Sequence, residues 1–452
     1  MDCRDECSIA LTHICQAWRE IFVSRSSLWT NFDCANPDKT RVYLERSKSS
    51  PINLWLDRDD VIPPGDPFLQ IIPHSVGRLK SLTVTGTPEN LQNIAAHLSL
   101  HAPLLERLDV DGGTSFGPER NPTLTTSLFN GNLSSLRELR LQRVRTELPW
   151  RNTVNLTSFT LCLMSPGGLS IRQLLDFFES APRLRKIVLY SATPASGGQY
   201  GRLVSLGCLK RMDILWGGPS SFLLDHLLIP VGAKLTNSVP SFGPALEDYL
   251  PRSLESLRNT SNFTKVTLLI NKHYTTLELS GPNGQLRIVS HVDTTHLALE
   301  SLTRFDTSKV ERLEIFSRNR PLGGPAYKAL LPLENLRTLT LSRCENPYAF
   351  IFALYPDETS SKVMACPKLE ELVLVPRTNT KKFDIESVIG MAAARGLRGA
   401  KLGVVRIAGE PDELDPMDAS ELMEHVLNVE HRPEVGVAYG NGDGGDGSDE
   451  EY

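Results

Sequence analysis

The chain has 452 residues, of which 40% are apolar and 22% charged, and this composition is typical of a globular protein. Five acidic residues near the C-terminus account for the formal net charge of −5, so the rest of the chain is close to neutral (−5 − (−5) = 0). A near-neutral body without a basic stripe in its sequence argues against nucleic acid or an anionic membrane as the main partner. No apolar run reaches bilayer length and no signal sequence opens the chain, so we expect an intracellular protein, cytoplasmic or nuclear.

The first informative stretch is an apolar pattern that begins at residue 11. Its members recur at helical spacing, with Ser8 as a candidate N-cap: Leu11, Ile14, Cys15, Trp18, Ile21 and Phe22. Ser24–Ser27 breaks the pattern, and Leu28 and Trp29 form a second apolar group. A helix this short needs a partner surface for its apolar face. That surface is either the rest of this chain or another protein.

Residue identity in this stretch indicates a family. The segment Ile14-Cys15-x-x-Trp18-Arg19-x-Ile21, followed by Leu28-Trp29, resembles the second half of an F-box. The following Asn31–Asp33 and Glu45–Pro51 are similar to the linker of fungal F-box proteins that carry leucine-rich-repeat-like domains. The Leu-Pro-x-Glu helix that normally opens an F-box is not found in Met1–Ala10. The motif is therefore either a half F-box or the remainder of one that starts upstream.

The resemblance implies a partner and a role. In F-box proteins the motif docks on the Skp adaptor of cullin–RING ubiquitin ligases, and the repeats hold a protein substrate. The implied adaptor-binding residues are Leu11, Ile14, Cys15, Trp18, Ile21, Leu28 and Trp29. We assign residues 1–33 to this partial F-box-like helical segment.

Residues 34–60 read as a linker helix and a first strand. Asn36-Pro37 is a favourable N-cap and first helical residue for a helix that reaches about Lys48. In Pro51–Asp57 the apolar residues Ile52, Leu54 and Leu56 alternate with polar ones, which predicts a strand.

From residue 61 to 432 a six-residue signature, apolar-x-x-apolar-x-apolar, recurs eleven times. Its copies are Leu79/Leu82/Val84, Leu105/Leu108/Val110, Leu136/Leu139/Leu141, Leu156/Phe159/Leu161, Leu184/Ile187/Leu189, Leu209/Met212/Ile214, Phe263/Val266/Leu268, Val310/Leu313/Ile315, Leu336/Leu339/Leu341, Leu369/Leu372/Leu374 and Leu402/Val405/Ile407. The last two apolar positions lie two residues apart, as on the inward face of a short parallel strand. Such copies predict an α/β fold, an irregular leucine-rich-repeat-like solenoid of horseshoe form.

Several segments between the copies predict return helices. Thr87-Pro88 opens a stripe that ends at Leu98, and Ser170 with Gln173 matches a capping box. Asp384–Arg395 and Asp418–Val429 are two further helical patterns.

The region around 215–295 interrupts the repeats. No clean copy of the signature occurs from Leu215 to Ser261, and Tyr274–Ser290 predicts a β-hairpin. We interpret this region as an irregular centre of one continuous solenoid; the alternative is two repeat domains joined near residue 235. Residues 433–452 are acidic and Gly-rich with almost no apolar side chains, so we expect a disordered tail.

Neither metal nor catalytic motifs accompany the repeats. Cys3 and Cys7 form a lone C-x3-C without a second pair, so reduced thiols and no metal or other cofactor are predicted. His273 beside Tyr274, and the pair His291/His296, lack a nucleophile or a third ligand. We therefore predict no enzymatic activity, although a hydrolase with unrecognised motifs is the third hypothesis.

The sequence-based hypothesis is a substrate-recognition subunit of a cullin–RING ubiquitin ligase. An F-box-like segment would bind the Skp-type adaptor and cullin complex, and the polar outward positions of the repeat strands would bind an unknown protein substrate. The alternative is a protein-binding leucine-rich-repeat scaffold without a ubiquitin-ligase role. Neither hypothesis includes nucleic acid or a membrane as a partner.

Overall fold

The computed structural model describes most of the chain. The described residues are 9–10, 12–58, 66, 69, 73–113, 123–124, 129, 133–146, 152–162, 169–192, 201–215, 220–239, 249–271, 274–290, 302–317, 330–344, 347–356, 364–375, 385–408 and 415–432. The chain divides into two compact units. Unit 1 comprises Met1–Ser261 and Asn283–Ile288, and unit 2 comprises Asn262–Pro282 and Val289–Tyr452.

Unit 1 alternates helices with short strands. Its helices are α1 (Gln16–Ser24), α2 (Pro37–Ser47), α3 (Pro88–His97), α4 (Ile171–Ser180) and α5 (Ser221–Leu224). Its strands are β1 (Asn31–Asp33), β2 (Ile52–Arg58), β3 (Leu79–Gly86), β4 (Arg107–Asp111), β5 (Thr123–Leu124), β6 (Glu138–Gln142), β7 (Arg145–Thr146), β8 (Ser158–Cys162), β9 (Lys186–Tyr190), β10 (Val204–Ser205), β11 (Arg211–Leu215), β12 (Leu227–Leu228) and β13 (Lys234–Val239).

The longer strands of unit 1 form one parallel ladder. In spatial order it runs β1, β2, β3, β4, β6, β8, β9, β11 and β13, so each strand pairs with its predecessor and its successor. Two small parallel pairs lie outside it, β5 with β7 and β10 with β12. The ladder therefore begins at β1 and β2, within segments that sequence analysis assigned to the F-box-like region and the linker.

Unit 2 contains a second parallel ladder. Its elements are β14 (Lys265–Ile270), β15 (Thr275–Gly281), β16 (Gly284–Ser290, of which the residues up to Ile288 belong to unit 1), β17 (Arg312–Ser317), β18 (Thr338–Ser342), α6 (Tyr348–Ala353), β19 (Glu371–Val375), α7 (Ile385–Leu397), β20 (Val404–Ala408), α8 (Pro416–His425) and β21 (Asn428–Arg432). Strands β14, β17, β18, β19, β20 and β21 pair in parallel in that order. Strand β15 pairs antiparallel with β14. The two strands of the hairpin predicted over Tyr274–Ser290 are therefore present, as β15 and β16.

The repeat signature is confirmed in every copy. All three apolar positions of each of the eleven copies are buried, and each copy supplies one strand of a parallel ladder. In register, the inward residues of one strand contact those of the next, as with Leu313, Leu339 and Leu372. Stacked apolar rows remove water from both neighbours, which is the main stabilising contribution of a repeat core. The two units are thus mixed α/β structures with a leucine-rich-repeat-like strand ladder.

One strand of the ladder has no copy of the signature. Strand β13 pairs in parallel with β11 and buries Leu235, but its second inward position is Asn237. The Asn237 amide nitrogen donates to Ser220 Oγ and to the Tyr249 carbonyl, each at 2.7 Å. These hydrogen bonds make burial of a polar side chain tolerable. The repeat ladder therefore continues into the region that the sequence pattern marks as irregular.

Most predicted helices lie where the pattern places them. Asn36 caps α2 by accepting from Asp38 and Lys39 N–H, and the capping box of Ser170 with Gln173 opens α4. The helix predicted over Asp418–Val429 was wrong at its C-terminal end, because α8 ends at His425 and Asn428–Arg432 joins the ladder as β21. Pairing with β20 overrides the helical spacing of its apolar residues. The acidic tail predicted from residue 433 lies outside the described residues.

Candidate functional site

Helix α1 differs from the other helices in what it buries. Among the described helices α1 to α8, it alone contains no buried residue. Three apolar side chains of the predicted motif are exposed along this segment: Ile14 at 60%, Trp18 at 47% and Ile21 at 53%. Cys15 is exposed as well, and Leu28 is 37% exposed. We call Ile14, Cys15, Trp18, Ile21 and Leu28 the N-terminal apolar patch.

The helix itself is shorter than the pattern predicts. Cys15 is the N-cap in an extended conformation, and no side chain caps α1. A separate turn precedes it, closed by the Thr12 N–H and hydroxyl, which donate to the Ile9 carbonyl at 2.9 and 2.7 Å. Arg19 Nε donates to the Thr12 carbonyl at 2.9 Å and holds this turn against α1. The prediction of one continuous helix from residue 11 was therefore wrong, because the chain turns at residues 12–14. Leu11 and Ser8 lie outside the described residues.

Trp29 is not part of the exposed surface. Its side chain is 0% exposed, its indole Nε1 donates to the Phe22 carbonyl at 2.8 Å, and its ring meets the Tyr43 ring edge-on at 5.0 Å between centroids. The Arg46 guanidinium lies over the indole ring, 4.3 Å from the ring centroid. Among the predicted adaptor-binding residues that the structure describes, Trp29 is the one whose side chain is buried in this chain, and its assignment as an adaptor contact stays a prediction. Within the chain, Trp29 attaches α1 to α2 and fixes the position of the N-terminal apolar patch.

Phe22 is the residue of this segment that sequence analysis left out of the predicted binding set. Its ring stacks on that of Trp18, with 5.5 Å between centroids and 22° between planes. Its carbonyl accepts the Trp29 hydrogen bond. Phe22 thus links the exposed Trp18 to the buried Trp29. Its place in the helical pattern already indicated this contact, since it follows Trp18 by four residues.

The strand ladders present a second kind of surface, their outward face. In each copy of the signature, the residues between the apolar positions point away from the core. Two of them lie between the first and second apolar positions, and one lies between the second and third. On β3 to β6 this face carries charges of both signs that pair across strands. Lys80 Nζ lies 3.8 Å from Glu106 Oε2, and Arg107 Nε lies 3.8 Å from Glu138 Oε2.

The ends of the same strands hold a tighter ion pair. Arg143 forms two hydrogen bonds to the Asp111 carboxylate, at 2.9 and 2.6 Å. Such bidentate pairs fix the geometry of both side chains.

Burial raises the pKa of the nearby Asp109 carboxyl, although the positive charges of Arg140 and Arg107 act in the opposite direction. Burial also raises the pKa of the Cys162 thiol, which therefore carries no activated thiolate at neutral pH.

Further along the ladder the outward residues at the N-terminal ends of the strands are all basic. The residues at the entry of β9, β11 and β13 are Arg185, Lys186, Lys210, Arg211 and Lys234, and all five are exposed. Lys186, Arg211 and Lys234 lie in register on neighbouring strands. We call these five residues the basic patch. The sequence contains no basic run, because the three strands are about a repeat length apart in the chain.

In unit 2 the outward face is held together by a polar network. Lys265 Nζ lies 2.8 Å from Glu314 Oε1. Arg406 pairs with Glu371 on one side and with Glu430 Oε2, at 2.9 Å, on the other. The hydrogen bond to Glu430 raises the pKa of Arg406, with Glu371 adding to the effect. On this face of unit 2 these acidic and basic side chains therefore form ion pairs with one another.

The structure does not describe the histidine positions considered for catalysis. His273, His291 and His296 lie outside the described residues, and Tyr274 is exposed on the surface of unit 2. Within the part of the chain that the structure describes, no group of three or more His, Cys, Asp or Glu side chains is placed to hold a metal ion. The described helices are each too short or too polar to cross a membrane.

Comparison with known proteins identifies a distant structural likeness. No protein-family model matches the sequence, and no curated protein matches it. Among solved structures the chain is similar to that in the crystal structure of a TLR13–ssRNA13 complex, with a TM-score of 0.42 and 13% identity. The likeness covers 89% of this chain but only 54% of the other, so this chain spans about half the length of that neighbour. A likeness this distant does not bear on function. The fold assignment rests on the ladders of buried signature strands.

Proposed function

We propose that this protein is a substrate-recognition subunit of a cullin–RING ubiquitin ligase. The N-terminal apolar patch binds the Skp-type adaptor, and the outward face of the strand ladder binds the protein substrate. One observation carries the proposal: α1 contains no buried residue, and Trp18 and Ile21 of α1 are exposed together with Ile14 of the turn before it. Exposed apolar faces of this kind are typical of protein-binding sites. The C-terminal end of α1 is held in place by Trp29, which donates to the Phe22 carbonyl.

The packing of Trp29 supports this role. A receptor works by holding its substrate near the ligase, which raises the effective concentration of the reacting groups. That effect is greatest when few flexible residues separate the two binding sites. Here Trp29 packs on Tyr43 of α2, and Asp33 of β1 lies beside Trp55 of β2 in the ladder. The adaptor site is thus joined to the first strands of the repeat ladder without a long linker.

Adaptor binding by purified protein tests the proposal. Substitution Trp18→Ala removes the largest exposed side chain of the patch, and a Trp anchor contributes about 2 kcal/mol or more to an interface. We expect the dissociation constant for a Skp-type adaptor to rise at least ~30-fold, measured by titration calorimetry with the full chain. The chain offers a matched control in Trp55→Ala, since Trp55 is 40% exposed on the outward face of β2. That variant should bind the adaptor within about twofold of wild type.

Two results separate this proposal from its alternative. If wild-type protein shows no adaptor binding at all, the chain is a protein-binding scaffold without a ubiquitin-ligase role. If Trp18→Ala and Trp55→Ala bind the adaptor equally well, the N-terminal apolar patch is not the adaptor site.

A further inference from the structure

The basic patch is an arrangement that the fold does not need. Lys186, Arg211 and Lys234 occupy directly opposite positions on three neighbouring parallel strands. Neighbouring strands lie about 4.8 Å apart, and like charges in such positions destabilise the sheet. Arg185 and Lys210 precede two of these residues, and the Lys210 N–H donates to the Arg185 carbonyl at 2.8 Å. Five cations are therefore placed together at an energetic cost.

The described surroundings neutralise little of this charge. Arg211 Nε donates to Asp213 Oδ2 at 2.7 Å. Among the described residues no carboxylate forms an ion pair with Arg185, Lys186, Lys210 or Lys234. The patch thus carries a net charge of about +4, five cations less one carboxylate.

Other parts of the same ladder show that this is not a general property of the outward face. At the equivalent positions of β3, β4 and β6, acidic and basic residues alternate, and Glu106 and Glu138 each lie 3.8 Å from a cationic group. Alternation gives the usual solvated strand surface. The change to basic residues alone at the N-terminal ends of β9, β11 and β13 points to an anionic ligand.

We infer that the basic patch binds an Asp/Glu-rich segment of a protein partner. The inference rests on the proposed function, in which that partner is the substrate. An extended acidic segment that crosses the three strands meets a new cation at each strand, so several carboxylates are neutralised together. Among the described residues of β9, β11 and β13 the single aromatic side chain is Tyr190, at the opposite end of β9 from Lys186, so these strands place no aromatic ring beside the patch for stacking on bases, as tight binding of single-stranded nucleic acid requires.

A peptide-binding measurement tests this inference on the full chain. The probe is a fluorescein-labelled twelve-residue peptide of alternating Glu and Asp, titrated with protein at low and at physiological salt. We expect binding that weakens with salt, and a roughly tenfold or greater loss of affinity in the triple variant Lys186→Ala/Lys210→Ala/Lys234→Ala. The matched control is Lys80→Ala/Arg107→Ala/Arg137→Ala, which removes three cations from the mixed-charge part of the same face. It should bind the peptide within about twofold of wild type.

Additional variants keep the test decisive. The variant Lys186→Arg/Lys210→Arg/Lys234→Arg retains the charge and should bind like wild type, whereas loss of binding there would overturn a charge-based site. Equal weakening by the Lys80/Arg107/Arg137 control would also overturn the inference. So would tighter binding of a single-stranded RNA oligonucleotide of equal charge than of the peptide. Adaptor titration separates the two proposals: wild-type protein that binds the adaptor but not the peptide removes this inference alone, whereas the patch variants should keep the wild-type adaptor affinity while they lose the peptide.

Discussion

Helices α1 and α4 have similar sequence patterns and opposite surroundings. Both have an apolar face at helical spacing. Helix α4 begins with a capping box and buries Ile171, Leu174, Leu175, Phe177 and Phe178. Helix α1 has no side-chain cap and buries no residue. The periodicity of a helix therefore shows that one face requires cover, and only the tertiary structure shows whether its own chain supplies that cover.

The largest expected effect is on the stability of the covered helix. Phe177 is fully buried and its ring lies 4.6 Å from that of Phe159. Phe177→Ala should lower the free energy of unfolding by about 3–5 kcal/mol, because it leaves a cavity beneath the strand ladder. Ile21→Ala on α1 should lower it by less than about 0.5 kcal/mol. Urea denaturation followed by circular dichroism measures both. Comparable losses would show that the apolar face of α1 is already covered within the chain.

A smaller effect on stability is expected just after the C-terminal end of α1, where two neighbouring residues differ in burial. Trp29 is fully buried and Leu28 is 37% exposed. Trp29→Ala should cost about 3 kcal/mol, near the lower end for a buried aromatic residue, because this segment lies at the end of the ladder of unit 1. Leu28→Ala should cost less than about 1 kcal/mol. The same denaturation experiment measures the pair. If Leu28→Ala were the more damaging change, the assignment of Trp29 as the anchor of α1 would be wrong.

The repeat ladder was the most predictable part of the molecule. The spacing of its signature demands that the last two apolar positions share one face of a strand, and eleven independent copies point to the same architecture. Leu339, for example, lies between Leu313 and Leu372 as the pattern requires. Local spacing and long-range pairing agree at these positions, so a pattern in the sequence is sufficient.

The parts that escaped prediction depend on contacts between distant residues. Strand β13 was missed because its second inward position is Asn237, whose amide nitrogen donates to Ser220 Oγ and to the Tyr249 carbonyl. Arg395 is a fully buried arginine on α7 that donates to the carbonyls of Ala365 and Cys366, which no helical pattern indicates. The start of α1 depends on the turn at Thr12, and the basic patch arises only when β9, β11 and β13 are paired.

Hydrogen–deuterium exchange of the full chain with and without a Skp-type adaptor tests the central claim most directly. The account predicts that the adaptor slows amide exchange in α1 and in the Ser26–Trp29 turn, while the buried helix α4 exchanges at the same rate in both samples. An adaptor complex that leaves the exchange of α1 unchanged would contradict the account, because the exposed apolar face would then not be the surface that the adaptor covers.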